Sequence, residues 1–361
     1  MAVVRHGSSA LLVIDRLKFR FPLPHPGIIS AGFVQSVDDF GNVEWRTVKR
    51  RPLKGSWENQ VNVRSHMAYP GQVIEFEGNP AKWVQGHNLW GSDDVFGMAV
   101  STCYLVAEHL GLEVPPETAS AWAAGAIQVQ AVDIAYSFAL GSRAEVKAWL
   151  RAAEHTAHMT HRGRGQLVKD GTLYFGRHSR RWALKFYSKG QEIQDRPKTQ
   201  QAIADLPAAK AWADPVLRAE LVLRKMHLKD HGLDVLANWR YHDGVTAPDP
   251  FDLVRERLGA LTMTTTCRLS DDVLQSLRPA LRTAFLAWES GHDLRTTLSR
   301  ATFYRYRSEL LPHGVDIATL LPRADTGNVI PLFRVLEPRP VDVPDWAIGT
   351  PLYWEPRKAW G

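Results

Sequence analysis

The chain has 361 residues and a formal net charge of +6 at pH 7. This length allows two or three domains, and a hydrophobic content of 45% supports real cores. Two cysteines argue against a disulfide scaffold and fit a reducing cytoplasm. The start of the chain lacks the apolar region of a signal peptide, and no stretch approaches 18 apolar residues, which predicts no membrane association.

The first half of the chain predicts strands interrupted by helices. Residues 10–22 read as a strand stopped by Pro22, and short strands are expected near 33–35 and 43–45. Further predicted elements are a strand at 72–77, a helix at 94–110 ending at Gly111, a strand at 127–138 and a helix at 143–156.

The second half begins with a predicted hairpin of residues 172–176 and 182–188. A helical stretch near 199–212 follows, and 216–224 read as a strand, although a helix is nearly as plausible. Residues 240–250 read as a linker, and a helix is expected from Ser270 to about Ser290. We therefore predict an α+β fold: an antiparallel sheet with flanking helices over residues 1–240, and a mainly helical domain over 250–361.

Basic residues are concentrated between Arg143 and Lys189, where the sequence contains eleven Lys and Arg but only three acidic residues. Such a stripe is typical of a protein that binds a polyanion, most often nucleic acid, although a solvated basic surface is also common. The DNA-binding candidates within it are Arg162, Arg164, Arg180, Arg181 and Lys185.

Tyr187 occupies an unusual position in the predicted strand 182–188. With side chains alternating between faces, it shares one face with Lys185 and Lys189. Two ammonium groups beside a phenol favour the phenolate and attract phosphate, as a tyrosine that attacks a phosphodiester requires. The alternative is an ordinary half-buried strand with solvated lysines.

Three other predicted strands each carry an acidic residue on one face, and Asp133 lies there in a row of apolar neighbours, where an unpaired carboxylate is costly. Glu75, Asp133 and Glu220 would converge if these strands are neighbours, and convergent carboxylates bind Mg²⁺ or Mn²⁺. His87, close to the candidate DNA-binding residue Lys82, is a further potential ligand. The alternatives are separate salt bridges for the acids and a structural role for the histidine.

The segment from Asp293 to Leu311 reads as a short helix, a turn at Ser299 and a second helix. Arg300 and Arg305 on the second helix are candidates for base contacts in the major groove, as in a helix-turn-helix. A surface helix with paired arginines is an equal alternative.

These motifs together resemble the gene II family of filamentous-phage replication initiators over nearly the full length. The most specific run is Asn79-Pro80-Ala81-Lys82 followed by Gln85-Gly86-His87-Asn88 and Gly91. The others are Val132-Asp133-Ile134-Ala135, His178-Ser179-Arg180-Arg181, Phe186-Tyr187-Ser188-Lys189, Asn328-Val329-Ile330-Pro331-Leu332 and Pro344-Asp345-Trp346.

The resemblance implies a rolling-circle nuclease-like fold and an enzyme that nicks and rejoins one strand of origin DNA. Tyr187 would form a 5′-phosphotyrosyl link without ATP, and Lys189 would stabilise the charged phosphate. A host DNA polymerase and helicase would act on the freed 3′ end. The chain departs from many rolling-circle nucleases because none of its histidines are spaced i, i+2. Any metal must therefore be held otherwise, with Asp15 as an additional candidate.

Two other functions compete with this prediction. A non-enzymatic DNA-binding repressor would use the helix-turn-helix and the basic stripe, and would not depend on Tyr187. A tyrosine recombinase is disfavoured, because the chain has no spaced set of Arg, His-x-x-Arg and a Tyr near the C-terminus.

Overall fold

The computed structural model describes residues 12–159, 161–168, 171–240, 250–259, 261–263, 271–290, 292–310, 315, 317–318 and 343–356. The strands are β1 (Leu12–Pro22), β2 (Phe33–Val37), β3 (Val43–Val48), β4 (Arg51–Lys54), β5 (Gln60–Ser65), β6 (Val73–Gly78), β7 (Gln128–Ala139), β8 (Ala157–Met159), β9 (Gly163–Arg164), β10 (Gln166–Leu167), β11 (Leu173–Phe175), β12 (Trp182–Ser188), β13 (Val216–Arg224) and β14 (Leu261–Met263). The helices are α1 (Pro80–Gln85), α2 (Val95–Leu110), α3 (Pro116–Ala123), α4 (Arg143–Thr156), α5 (Lys189–Asp195), α6 (Pro207–Ala213), α7 (Lys225–Asp230), α8 (Pro250–Gly259), α9 (Asp271–Ser276), α10 (Pro279–Glu289) and α11 (Arg300–Leu310).

Nine strands form one antiparallel sheet in the order β10-β11-β12-β13-β7-β1-β6-β5-β4. The central strands β13, β7 and β1 are long, so the register between them is fixed over many residues. Two small sheets, β14-β8-β9 and β2-β3, lie outside it. The predicted α+β fold with an antiparallel sheet is confirmed.

One face of this sheet forms the main hydrophobic core. Alternation along β7 and β13 sends residues such as Ile134 and Leu221 into it, while their neighbours face the other way. Helices α2 and α3 pack on β1, and α4 packs on β12 and β13, where the rings of Trp149 and Phe186 lie 5.2 Å apart. Each such buried side chain contributes roughly 1.5–3 kcal/mol. The opposite face carries the charged residues and is partly covered by α5.

The C-terminal helices α10 and α11 have a core of their own, which includes Phe285, Trp288 and Phe303. The first unit nevertheless extends beyond the predicted linker. Val254 of α8 belongs to the main core, and β14 pairs with β8. Residues 250–259 and 261–263 thus pack with the N-terminal unit, while the domain limits at 240 and 250 stay predictions. Most of the linker itself and the motif at 328–332 lie outside the described residues.

Most predicted elements of the first unit are confirmed, including α2, which ends at Gly111 in a left-handed conformation with φ of 65°. Residues 216–224 form a strand. The predicted helix near 199–212 is shorter, since only Pro207–Ala213 is α-helical. Among the described helices, none is long and apolar enough to cross a membrane.

The prediction of one helix from Ser270 to Ser290 is wrong. Two helices fill this segment, because Pro279 cannot continue α9 and instead starts α10. The short helix expected after Asp293 is a series of turns. Ser299 does cap α11, as its hydroxyl accepts a hydrogen bond from the Thr302 amide at 3.3 Å.

Candidate active site

Tyr187 lies near the end of β12, on the sheet face turned away from the main core. On β13 its partner is Arg218, and the cross-strand pair Lys185 and Glu220 lies two residues along the same face. Asp133 of β7 also faces this side, because it pairs with Val222. A cleft of about 580 Å³ opens over Tyr187, and α4, α5 and the β10–β11 hairpin line the rest of it. The predicted convergence of Tyr187, Asp133 and Glu220 is thus present.

A β-bulge adds Asp15 to this group. Ile14 pairs with Ile134 and Arg16 pairs with Asp133, so Asp15 is an extra residue in β1. Its Oδ1 accepts hydrogen bonds from Asn79 Nδ2 at 2.8 Å and from Asn88 Nδ2 at 2.5 Å. The bulge therefore fixes a carboxylate that strand alternation alone does not place.

The pKa of Asp15 shows how its surroundings hold it charged. Burial by itself would raise this pKa, but the cations of Lys189 and Arg218 and the bond from Asn88 hold it below the usual value. Asp15 is consequently an ionised carboxylate in the interior of the site.

The prediction that positive charge favours the Tyr187 phenolate is wrong. Burial raises the pKa of the phenol well above its usual value, and the carboxyls of Glu192 and Glu220 raise it further. Lys185 and Lys189 do flank the ring, each with its Nζ 5.9 Å from the ring centroid. Both lysines are paired with carboxylates, however, so their charge is largely compensated. The phenol is protonated and donates to Glu220 Oε2 at 3.3 Å.

Asp133 and Glu220 behave as a coupled acid pair. Burial raises the pKa of both, and the charge of Asp15 adds to the effect. The pKa of Glu220 reaches about 8 even though Lys185 forms an ion pair with it. At neutral pH the two carboxyls therefore share a proton.

The carboxyl oxygens of Asp133 and Glu220 are ligands of the kind that a hard divalent cation prefers. Oδ1 of Asp133 is buried and has no hydrogen-bond partner among the described residues, and its nearest cation is Arg16, whose guanidinium lies 3.6 Å away. Within those same residues, no group of three or more His, Cys, Asp or Glu side chains is arranged to hold a metal. Two carboxyls are sufficient for Mg²⁺, which commonly takes its remaining ligands from substrate phosphate and water.

Lys189 lies beside Tyr187, as predicted, but it is the first residue of α5 rather than part of the strand. Its Nζ donates to Asn88 Oδ1 at 2.7 Å and to Glu192 Oε2 at 2.5 Å, and its side chain is fully buried. Burial lowers the pKa of Lys189 to about 8. The sequence singled out Asn88 only within the run Gln85-Gly86-His87-Asn88 and gave no reason to select Glu192, because neither lies on a strand face.

Glu75 is not part of the site. It lies on β6, whereas Tyr187 lies on β12. Three strands, β13, β7 and β1, lie between them, so that β6 and β12 are about 19 Å apart across the sheet. There it accepts hydrogen bonds from Arg20 Nε at 3.1 Å and Arg64 Nε at 3.0 Å. The alternative of a salt-bridged structural acid is the better description.

His87 is also structural. Its Nε2 donates to the Leu352 carbonyl at 2.8 Å, and its Nδ1 accepts from the Leu89 amide at 3.2 Å. Burial lowers the pKa of His87 to about 3. Both ring nitrogens have partners within the protein, so the ring is not placed to bind a metal.

The DNA-binding candidates lie in several places. Lys185 is in the site itself, and Lys82 is close enough to Glu192 and Asp15 to be affected by their charges. On α11, Arg300 and Arg305 are exposed.

Near the start of β12, the guanidinium of Arg162 stacks on Trp182, and Arg181 pairs with Asp230. Arg180 is exposed nearby. Arg164 instead donates to the Ala318 carbonyl at 2.6 Å, which gives it a structural role.

The C-terminal segment (residues 343–356) packs on the loop that carries Asn88. Trp90 Nε1 donates to the Leu352 carbonyl at 2.8 Å, and the Trp354 amide donates to Gln85 Oε1 at 2.7 Å. The rings of Trp90 and Trp346 make a T-shaped contact at 5.4 Å. Because Asn88 in turn holds both Asp15 and Lys189, the end of the chain supports the site.

Comparison with known proteins gives clear matches. Residues 13–242 match the family model for the N-terminal part of the phage gene II replication-associated protein, and residues 270–351 match the model for its C-terminal part. The chain is 35% identical over 321 residues to the replication-associated protein of this type from Enterobacteria phage I2-2, covering 88% of this chain and 91% of that protein. A solved rolling circle replication initiator protein from Geobacillus stearothermophilus aligns with 86% of this chain and 99% of its own, at 14% identity and a TM-score of 0.30.

Removal of residues 343–361 is expected to loosen the Asn88 loop, because it uncovers Trp90 and an apolar cluster that includes Ala347. The expected loss of stability is at least about 2 kcal/mol, with faster amide exchange at Leu89 and Trp90. Urea unfolding and hydrogen exchange measure both. Removal of residues 357–361 alone is the matched control, and equal behaviour of the two truncations would refute a supporting role for the segment.

Proposed function

The chain belongs to the gene II family of phage replication-associated proteins, and we propose that it initiates rolling-circle replication by nicking one strand of origin DNA with Tyr187. The observation that carries this proposal is the environment of the phenol. It lies in an open cleft, between two ammonium groups, and donates a hydrogen bond to a carboxyl whose pKa is about 8.

In the proposed reaction, the Tyr187 oxygen attacks the scissile phosphorus and the bond to the 3′ oxygen breaks. The phenol proton leaves towards Glu220 Oε2, which already accepts the hydrogen bond of the phenol at 3.3 Å. The departing 3′ oxygen takes up a proton from water, so that the products are a 5′-phosphotyrosine and a free 3′-OH. The reverse reaction reseals the strand, because the phosphotyrosine conserves the energy of the broken bond.

Lys189 and Lys185 are placed to stabilise negative charge on the phosphate. Their cations lie at equal distances from the Tyr187 ring. A buried ammonium interacts more strongly with a phosphate than an exposed one, because water screens it less. Asn88 and Glu192 hold Lys189 in position before DNA arrives.

Asp133 and Glu220 would hold Mg²⁺ or Mn²⁺, with Asp15 as a third acid nearby. When bound, the cation would neutralise part of the charge on the scissile phosphate. The freed 3′-OH would then serve a host DNA polymerase, with a helicase separating the strands, in the cytoplasm of a bacterial host.

We assign binding of duplex DNA to α11. Phe303, Tyr306 and Leu310 bury one side of this helix, while Arg300, Tyr304 and Arg305 face solvent on the other. An exposed face with two arginines and a tyrosine after a capped turn suits a major groove. A repressor without nuclease activity would need only this surface, so the two functions are separated by tests on Tyr187.

Tyr187→Phe is expected to abolish the covalent adduct with single-stranded origin DNA and Mn²⁺, with a loss of nicking rate of at least about 10⁴-fold. The fold should survive, because one phenolic hydrogen bond contributes only about 1 kcal/mol. Denaturing gels detect the adduct. Tyr174→Phe, which alters another tyrosine of the cleft, is the control and should keep the adduct. An adduct that survives Tyr187→Phe would overturn the assignment.

Binding of Mn²⁺ is expected to become about tenfold tighter per pH unit from pH 6 to about 8, because the cation must displace the proton held on Glu220 below its raised pKa. Calorimetric titration measures this slope. Glu220→Gln should remove it and weaken binding. Glu75→Gln makes the same change outside the site and should leave Mn²⁺ binding unaltered. Affinity that does not change with pH would contradict this metal site.

Substitution of Arg300 or Arg305 by Ala should weaken binding of origin duplex by roughly 1–3 kcal/mol, as expected for a lost base contact. Cleavage of a single-stranded origin fragment should remain unchanged, because α11 lies outside the cleft. The matched control is Arg282→Ala, an arginine of α10 whose guanidinium bonds to carbonyls of its own unit. Parallel loss of both activities would contradict separate roles.

A further inference from the structure

A second concentration of positive charge surrounds Trp182, at the other end of β12 from Tyr187. The guanidinium carbon of Arg162 lies 4.3 Å from the Trp182 ring centroid, and that of Arg257 lies 4.9 Å from it. These arginines come from distant parts of the sequence, one next to β9 and the other from α8. Two cations on one indole repel each other, and after burial this repulsion is the main reason that the pKa of Arg162 is lowered.

Three further residues lie close to these two arginines: Arg181, His227 and His231. The Arg224 amide donates to the Arg181 carbonyl at 2.8 Å, which brings the start of α7 next to the start of β12. The rings of His227 and His231 lie 4.0 Å apart. His227 is only 2% exposed, and its Nε2 has no hydrogen-bond partner among the described residues. A buried donor or acceptor without a partner is unfavourable, so it marks a place where a ligand atom would be favourable.

The surrounding carboxylates compensate this charge poorly. Arg181 pairs with Asp230 and Arg257 pairs with Glu256, but these acids are 41% and 62% exposed, and such surface pairs are weak. Within the described residues, Arg162 forms no ion pair, and its buried Nε has no partner. Burial, the neighbouring His231 ring and the cations Arg257, Arg181 and Arg162 lower the pKa of His227 to about 4. The cluster is therefore short of negative charge.

We propose that Arg162, Arg181 and Arg257, together with His227 and His231, form a second phosphate-binding site that holds a backbone phosphate of the DNA away from the point of cleavage. Planar guanidinium groups are well suited to phosphate oxygens, and stacking on Trp182 holds those of Arg162 and Arg257 in fixed orientations. The rise along β12 puts Trp182 about 17 Å from Tyr187. The choice of DNA as the source of the phosphate rests on the proposed function, whereas the anion site itself does not.

The test uses the full chain carrying Tyr187→Phe, so that binding is measured without covalent chemistry. Affinity for a fluorescent single-stranded oligonucleotide is measured over a range of salt concentrations. Three proteins are compared: the Tyr187→Phe protein itself, and the same protein with either Arg162→Gln or Arg257→Gln added. Each variant should bind about tenfold more weakly, and the slope of log K against log salt should fall by about 0.7 for the lost phosphate contact. Lys54→Gln, which removes one charge from the far edge of the sheet, should change the slope little.

Three further readouts make the result decisive. Arg162→Lys keeps the charge and should retain the salt slope with weaker affinity, and it replaces Arg162→Gln if that variant fails to fold. NMR of the His227 and His231 rings should show shifts on addition of the oligonucleotide, and smaller shifts with equal concentrations of inorganic phosphate. Equal losses in the Gln variants and in Lys54→Gln, or no loss at all, would overturn the site. Ring shifts with inorganic phosphate alone would overturn the assignment to DNA.

Loss of adduct formation and loss of binding at this second site are independent results. If Tyr187→Phe in the otherwise native chain still forms an adduct, the proposed nicking mechanism fails while the phosphate site stands. If the adduct is lost but the arginine variants bind DNA normally, the second phosphate site is wrong while the proposed nicking mechanism stands.

Discussion

The site depends on one constraint: several charged groups are buried on a single sheet face, and each must be compensated within the protein. An isolated buried charge is very costly, and removal of one partner from a buried pair costs about 3–5 kcal/mol. Asp15 is held by Asn79, Asn88 and the nearby Lys189. Lys189 is held by Asn88 and Glu192. These bonds join β1, the Asn88 loop and α5, so the electrostatic requirement also fixes the relative positions of the elements around Tyr187.

The same constraint determines the resting state of Tyr187. With its neighbouring cations already paired, Tyr187 has a raised pKa and keeps its proton. In the proposed reaction, activation would therefore come with the substrate and a cation, which would bring positive charge to Asp133 and Glu220. Under this proposal, Tyr187 would not attack DNA until the phosphate is in place.

Sequence reasoning could predict much of the fold, because alternation along the strands is strong. The sequence predicted that Asp133, Tyr187 and Glu220 share one face if their strands are neighbours, and this holds because β7, β13 and β12 are regular and adjacent. It could not predict Asp15 in the same way, because a bulge breaks the alternation on which the argument rests. It also overestimated the effect of the lysines, because the carboxylates that pair with them come from a neighbouring strand and from α5. Glu75 and His87 illustrate the same limit, because residue type alone suggested that they were metal ligands. Glu75 is instead paired with arginines of β1 and β5, and His87 is bonded to the Leu352 carbonyl.

In the proposed reaction, Tyr187 carries the 5′ end of the cleaved strand. The most direct measurement is peptide mass spectrometry of the protein after reaction with origin DNA and nuclease trimming of the attached strand. We expect a nucleotide 5′-phosphate on the peptide that contains Tyr187, attached to the phenolic oxygen of Tyr187. Attachment to Tyr174, the other tyrosine of the cleft, or to any residue outside the cleft would contradict it.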